Sequence, residues 1–90
     1  MRDLTEIREE INEIDARLTE LFRRRMNCSR DVALYKIEND LPILNSKRES
    51  EVLDRVEAMG SPYGEYTRSL FEKIMELSRE LQASLIEERK

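Results

Sequence analysis

The fold is decided by residues 3–38, DLTEIREEINEIDARLTELFRRRMNCSRDVALYKIE, a stretch that contains neither Gly nor Pro. Its apolar residues recur at alternating steps of three and four, which places them on one stripe of an α-helix. The stripe consists of Leu4, Ile7, Ile11, Ile14, Leu18, Leu21, Cys28, Val32 and Tyr35. Arg25 stands in the same row. Because a guanidinium keeps its charge in a protein, we expect an anion to meet it there.

The ends of this first helix are marked by capping residues. It is predicted to begin near Asp3, because Glu6 lies three residues later in a capping-box pattern. It should continue to about Glu38. The sequence Asn39-Asp40-Leu41-Pro42 then stops it, since the residue before a proline is pushed out of helical geometry.

Two more helices are predicted downstream. The second is capped by Ser46 and closed by Gly60, and its predicted inner face consists of Val52, Leu53, Val56 and Met59. A turn at residues 61–64 leads to a third helix, which runs from about Glu65 to the C-terminus. The apolar stripe of this helix consists of Leu70, Ile74, Leu77, Leu81 and Leu85. The sequence therefore predicts an all-α fold of a long, a short and a long helix in a single domain, residues 1–90.

The composition excludes several kinds of protein. The 90 residues include no His and one Cys, so a Ser-His or Cys-His nucleophile pair and an internal disulfide are excluded, and no metal site is expected. The net charge of −4 argues against nucleic acid as the main partner. No apolar run is long enough to span a bilayer and the first residues do not resemble a signal peptide, so we expect no membrane contact and a cytoplasmic location.

The length of the first helix predicts an oligomer. A helix of about 35 residues is roughly 50 Å long at ~1.5 Å per residue. A compact chain of this size has a radius of gyration near ~12 Å, and hence a diameter of roughly 30 Å. The helix must therefore extend beyond its own domain with its apolar stripe uncovered. A second copy of the chain is the simplest cover, which predicts an intertwined homodimer.

Polar residues occupy positions where helix packing favours apolar ones. Lys36 lies eleven residues after Arg25, almost three turns along, so both project from nearly the same side of the first helix. The second helix opens with Lys47, Arg48 and Glu49. The third helix carries a row that begins apolar and turns polar, namely Phe71, Met75, Ser78 and Gln82. Cations and neutral hydrogen-bonding groups on three helices could bind a small molecule with several negative charges.

Each of these residues also has a purely structural explanation. Arg25 could set the register of a coiled coil, and Lys36 could extend to water near the end of its helix. Glu49 lies three residues after Ser46 and could complete a capping box. The polar end of the row on the third helix could border a solvated face. Taken together, however, the residues favour an anion-binding site that is poorly equipped for covalent chemistry.

In order and spacing, these residues resemble the all-helical class of chorismate mutase over essentially the whole chain. Residues 7–15, IREEINEID, resemble the start of that family, in which an arginine, here Arg8, precedes an apolar-spaced run. The other matching positions are Arg25, Lys36, Arg48, Glu49, Ser78 and Gln82. The sequence departs from the family at Asn45, where aspartate is common.

The resemblance implies the rearrangement of chorismate to prephenate, a pericyclic step toward phenylalanine and tyrosine that needs no cofactor. Arg8 of the partner chain and Arg25 would hold the two carboxylates of the substrate. The homodimer would then contain two composite sites. Ser78 would assist one carboxylate, and Arg48 would complete the cationic wall.

The resemblance also assigns roles around the breaking bond. As the C–O bond breaks, Lys36 and Gln82 would stabilise the negative charge that grows on the ether oxygen. Glu49 would accept a hydrogen bond from the ring hydroxyl. If a carboxylate at position 45 orders Arg48 or the substrate hydroxyl, Asn45 would reduce activity. If that position serves the ligand through its backbone N–H, the change matters little.

Two other functions fit the same pattern. An isochorismate-pyruvate lyase has a similar cationic pocket and eliminates pyruvate from a related substrate, although the adjacent Arg48 and Glu49 favour the mutase. A non-catalytic helical dimerisation module would keep the apolar stripe but should tolerate leucine in place of Arg25.

Overall fold

The computed structural model describes residues 1–89 and confirms the all-helical fold. Within that range the chain forms three α-helices: α1 (Leu4–Glu38), α2 (Ser46–Met59) and α3 (Gly64–Glu88). No helix among these residues combines the length and the apolar character that a membrane crossing requires. The third helix, predicted to run to the C-terminus, instead ends at Glu88 with Arg89 as its C-cap, and Lys90 lies outside the described residues. The other predicted bounds agree with those observed to within one residue.

The first helix begins and ends through local hydrogen bonds. The Asp3 side chain accepts a hydrogen bond of 2.9 Å from the Glu6 backbone N–H, as the capping pattern predicts. At the other end, Asp40 adopts the left-handed conformation with φ of 55°. The N–H groups of Asp40 and Leu41 then bond back to the carbonyls of Ile37 and Lys36. This is a Schellman motif, and it turns the chain before Pro42 is reached.

The cap of α2 differs from the prediction. Asn45, and not Ser46, occupies the N-cap, and its side-chain oxygen accepts a hydrogen bond of 3.1 Å from the Arg48 backbone N–H. Ser46 is the first residue of the helix. Asparagine and serine are both strong N-cap residues, so composition alone could not choose between these two neighbours.

The buried core lies between α2 and α3. Val52 and Val56 of α2 pack against Met75 of α3, with Leu53 and Phe71 partly buried beside them. Met59, predicted for the inner face of α2, is instead exposed. Only α3 packs closely against both other helices; within residues 1–89, no Cα atom of α1 lies within 8 Å of a Cα atom of α2.

The buried face of α3 is also not the stripe that leucine spacing predicts. Leu70 is exposed, and the remaining members of that stripe are only partly buried: Ile74, Leu77, Leu81 and Leu85. The residues that α3 buries are Met75, Ser78 and Gln82. The row that turns polar is therefore the inward face of α3, and the leucine-rich stripe is only partly covered by the rest of the chain.

The N-terminal half of α1 extends beyond the rest of the molecule. Ile7 is partly buried, and the other members of the apolar stripe in this half are about half exposed, from 46% at Ile14 to 58% at Leu4. The chain measures 56 × 25 × 14 Å and its radius of gyration is 16.5 Å, well above the value of about 12 Å for a compact chain of this length. The predicted overhang is therefore observed, and its burial against a second copy stays a prediction.

The cap of α2 gives a prediction about stability. Asn45→Ala removes the oxygen that accepts from Arg48 and should lower the free energy of unfolding by about 1 kcal/mol. Ser46→Ala is the matched control, since Ser46 lies inside the first turn, where alanine is at least as good a helix former as serine, and it should change the free energy of unfolding by no more than a few tenths of a kcal/mol. Urea denaturation of both variants measures the difference. A larger loss from Ser46→Ala would contradict the assignment of the cap.

Candidate active site

A cavity of about 320 Å³ lies where the second half of α1, the loop at residues 39–45, the start of α2 and the middle of α3 meet. Its volume is within the range of small-molecule sites. Every predicted site residue except Arg8 lines it, namely Arg25, Lys36, Asn45, Arg48, Glu49, Ser78 and Gln82. Residues from three helices and one loop, far apart in sequence, thus converge on one space.

Arg25 reaches into this cavity from α1 without a carboxylate to neutralise it. Its Nη1 donates a hydrogen bond of 3.3 Å to the Ser78 hydroxyl. Its guanidinium carbon lies 5.8 Å from the centre of the Phe71 ring, a cation–π contact. Among residues 1–89, Arg25 forms no ion pair. The anion that we expect to meet Arg25 is therefore not a carboxylate in the described part of this chain.

A buried hydrogen-bond chain holds the floor of the cavity. The Ser29 hydroxyl donates to the Ser78 hydroxyl at 3.0 Å, and the Gln82 amide nitrogen donates to the Ser29 carbonyl at 3.1 Å. All three residues are more than nine-tenths buried, and within residues 1–89 no buried side-chain nitrogen or oxygen lacks a partner. These bonds fix Ser78 against Arg25 and leave the second amide hydrogen of Gln82 for a ligand.

Ser29 is a site residue that the sequence analysis missed. It lies four residues after Arg25, one helical turn along the same face of α1. That spacing was the available signal. A small hydroxyl residue beside an apolar stripe is common on solvated helices, however, so the signal alone did not identify it.

Lys36 is held at the opposite end of the α1 face by the loop before α2. Its ammonium nitrogen donates to the Ile43 carbonyl at 2.8 Å and is partly buried. One hydrogen of the ammonium is used in this bond, and two remain for a ligand. The side chain thus turns toward the loop and the cavity, in contrast to the alternative in which it extends to water.

Glu49 reaches across from α2 to α3. Nη1 of Arg79 donates to both oxygens of the Glu49 carboxylate, at 2.7 and 2.8 Å. The alternative explanation of Glu49 as the partner of Ser46 in a capping box is therefore wrong, because Asn45 is the cap. Arg79 lines the cavity and was also missed by the sequence analysis. The only sequence feature that points to Arg79 as a cavity residue is its position directly after Ser78.

The charges around the cavity are unbalanced. Four cationic side chains line it, Arg25, Lys36, Arg48 and Arg79, and the single carboxylate among the lining residues is that of Glu49. That carboxylate is already paired with Arg79. Three cations are therefore left for a ligand, which suits a small molecule with two carboxylates and makes a neutral or cationic ligand unfavourable.

Arg8 does not line the cavity of its own chain. It lies on the exposed first half of α1, seventeen residues before Arg25. At the rise of an α-helix, that separation is about 25 Å along the axis. Arg8 can therefore act at a cavity only in another copy of the chain.

The chain is similar to known proteins over most of its length. The sequence model of a family described as chorismate mutase type II matches residues 7–83. The chain belongs to this family. Its membership confirms the resemblance found in the sequence.

Three relatives show how far the similarity extends. A bifunctional chorismate mutase/prephenate dehydratase of Buchnera aphidicola subsp. Acyrthosiphon pisum is 35% identical over 82 residues, covering 88% of this chain and 21% of that protein. A second bifunctional protein of the same name, from Buchnera aphidicola subsp. Schizaphis graminum, is 32% identical over 87 residues, covering 93% of this chain and 23% of that protein. A chorismate mutase of Methanocaldococcus jannaschii is 30% identical over 88 residues, covering 94% of this chain and 89% of that protein.

The chain thus spans about a fifth of the length of the two bifunctional relatives and most of the Methanocaldococcus protein. No solved structure matches the chain significantly.

Proposed function

We propose that this chain catalyses the rearrangement of chorismate to prephenate. The observation that carries the proposal is the cavity itself, in which Arg25, Lys36 and Arg48 have no carboxylate partner among residues 1–89. The free-energy cost of placing these cations together without carboxylate partners is offset when a substrate with two carboxylates binds. A pericyclic rearrangement breaks and forms bonds within one molecule, so the protein contributes geometry and charge, which these side chains can supply.

Arg25 binds one substrate carboxylate in this proposal. Its guanidinium is oriented by Ser78 and by the ring of Phe71, so little freedom remains to be lost on binding. Four of its five N–H donors are not used by Ser78, enough for a bidentate contact. Arg8 of a second copy binds the other carboxylate. Holding both carboxylates selects the folded conformer of the substrate in which the reacting carbons are close.

Lys36 and Gln82 stabilise the charge that develops on the ether oxygen. Both groups are already fixed by backbone carbonyls, Lys36 by Ile43 and Gln82 by Ser29, and both keep unused hydrogens. Donors fixed in advance do not have to reorganise when charge appears in the transition state. Glu49 accepts a hydrogen bond from the ring hydroxyl, and the Arg48 side chain adds positive charge on the α2 side of the cavity.

The change from aspartate to Asn45 is compatible with full activity in this proposal. The Asn45 side chain acts as the cap of α2 and orders the Arg48 backbone through its oxygen. An amide oxygen caps a helix about as well as a carboxylate oxygen. The position can therefore place Arg48 and Glu49 with either residue.

The active form is proposed to be a homodimer with two composite sites. The exposed apolar stripe on the first half of α1 is long enough to pack against the same stripe of a second copy. Such packing brings Arg8 of one chain toward the cavity of the other chain. The cavity of a single chain is not lined by its own Arg8. The cytoplasmic location predicted from the sequence remains part of the same proposal.

Lys36→Ala tests the role of the ammonium group. Loss of a fixed donor to the developing charge should lower kcat on the order of 10²–10³-fold, while helicity by circular dichroism is unchanged. The assay is the decrease in chorismate absorbance. Lys73→Ala is the matched control, because Lys73 lies on the exposed surface of α3 and pairs with Glu76. A Lys36→Ala variant as active as this control would refute the assignment.

The composite site is tested by mixing two inactive variants. In a mixed dimer of Arg8→Ala and Lys36→Ala chains, one cavity has both wild-type residues and the other has neither. With random exchange, half of the dimers are mixed, so specific activity should recover to about a quarter of wild type. Subunit exchange is verified by mass spectrometry with one isotope-labelled chain. No recovery after verified exchange would rule out sharing of Arg8.

The two other functions predicted as alternatives are separated by the same assays. Turnover of isochorismate to pyruvate, without turnover of chorismate, would favour the lyase. Arg25→Leu separates an enzyme from a non-catalytic module, because it removes a cation without an ion-pair partner. The module would gain stability and lose no function, whereas the enzyme should lose chorismate turnover.

A further inference from the structure

We propose that Arg79 is a positioning residue that holds the Glu49 carboxylate in place for the ring hydroxyl of the substrate. This inference rests on the proposed function. It starts from an ion pair that crosses the cavity rim, in which Nη1 of Arg79 donates to both oxygens of Glu49, at 2.7 and 2.8 Å. It is the only ion pair among residues 1–89 that involves a residue lining the cavity.

The ion pair restricts a side chain that is otherwise mobile. Glu49 has several rotatable bonds, and its side chain is 27% exposed, so without a partner it could turn toward water. Arg79 directly follows Ser78 on α3, and Ser78 is fixed by a part-buried hydrogen bond from Arg25 and a buried one from Ser29. The guanidinium therefore extends from one of the most constrained segments of the molecule.

The pair also solves an electrostatic problem. A free carboxylate beside a substrate with two negative charges would repel it at close range. Arg79 neutralises Glu49 while leaving the lone pairs that face away from the guanidinium able to accept a hydrogen bond from a hydroxyl group. Glu49 can then accept a hydrogen bond inside a cavity whose other charges attract anions.

The hydrogen bond to the ring hydroxyl forms in the ground state and persists in the transition state. Loss of its orientation should therefore weaken substrate binding more than the chemical step. For Arg79→Gln we expect KM to rise roughly tenfold, with kcat changed less than about threefold. Arg79→Lys should restore most of the affinity, because only one nitrogen of the guanidinium contacts the carboxylate.

A double-mutant cycle tests whether Arg79 acts through Glu49. Glu49→Gln removes the charge that Arg79 holds, so adding Arg79→Gln to it should change KM by no more than about twofold. If the fold-changes in KM of the two substitutions multiply instead, Arg79 acts on the substrate independently of Glu49 and the proposal is wrong. An Arg79→Gln variant with wild-type KM would overturn it equally.

Arg68→Gln is the matched control. Arg68 also joins α3 to α2, through Asp54 at 3.0 Å and Glu57 at 3.7 Å, and its side chain is exposed to a similar degree, 33% against 40% for Arg79. It does not line the cavity. Its loss should leave KM unchanged. A rise in KM equal to that of Arg79→Gln would mean that any α2–α3 ion pair has this effect, which contradicts the proposal.

A measurement on the ligand-free protein separates this proposal from the proposed function. In wild type, side-chain NMR relaxation of Glu49 should report one ordered conformer, and in Arg79→Gln it should report averaging over several. Equal order in both proteins would refute positioning by Arg79, whatever the substrate. Absence of chorismate turnover by the wild-type protein would refute the proposed function and leave the NMR result to decide the role of Arg79.

Discussion

The site depends on cations that neutral groups hold in place. Arg25 is oriented by a hydroxyl and an aromatic ring, and Lys36 by a backbone carbonyl. A carboxylate in either place would cancel the charge and remove the reason for a dianion to bind. A hydroxyl or carbonyl dipole and the face of an aromatic ring instead fix the position of a cation without neutralising its charge. The buried hydrogen bonds among Ser29, Ser78 and Gln82 follow from the same constraint, because a neutral partner must itself be held to orient a cation.

The sequence was sufficient to predict what depends on local order and periodicity. The absence of Gly and Pro from residues 3–38 predicted α1, and row spacing brought Arg25 and Lys36 to one side of it. What depends on packing between helices was not predictable. Leucine spacing favoured the wrong face of α3, because an apolar stripe looks the same whether it packs inside the chain or is left for another surface. Arg79 was missed for a related reason: an arginine on a helix carries no mark of which carboxylate it will meet.

The shape of the chain links its stability to its site. The buried core among residues 1–89 is small, centred on Val52, Val56 and Met75, whereas a large apolar surface lies exposed on α1. A chain of this size gains little from its own core. Burial of the α1 stripe against a second copy would add the missing apolar area. The same long helix would hold Arg8 about 25 Å away from Arg25 of its own chain, and so within reach of the cavity of the second copy. One element would then serve both folding and catalysis.

Asn45 is the position at which the sequence departs from the family resemblance, and in the proposed site it would act through the cap of α2. Its role in this chain is geometric, since its side-chain oxygen caps α2 and thereby sets the first turn, from which Arg48 and Glu49 project. An amide performs this task without a negative charge. With Asn45 in place of aspartate, Glu49 is the only carboxylate that lines the cavity, and Arg79 neutralises it. The field that a dianionic ligand meets is then more positive than aspartate would allow. In the proposed site, the substitution would keep the backbone geometry and strengthen the attraction that Arg25 and Lys36 provide.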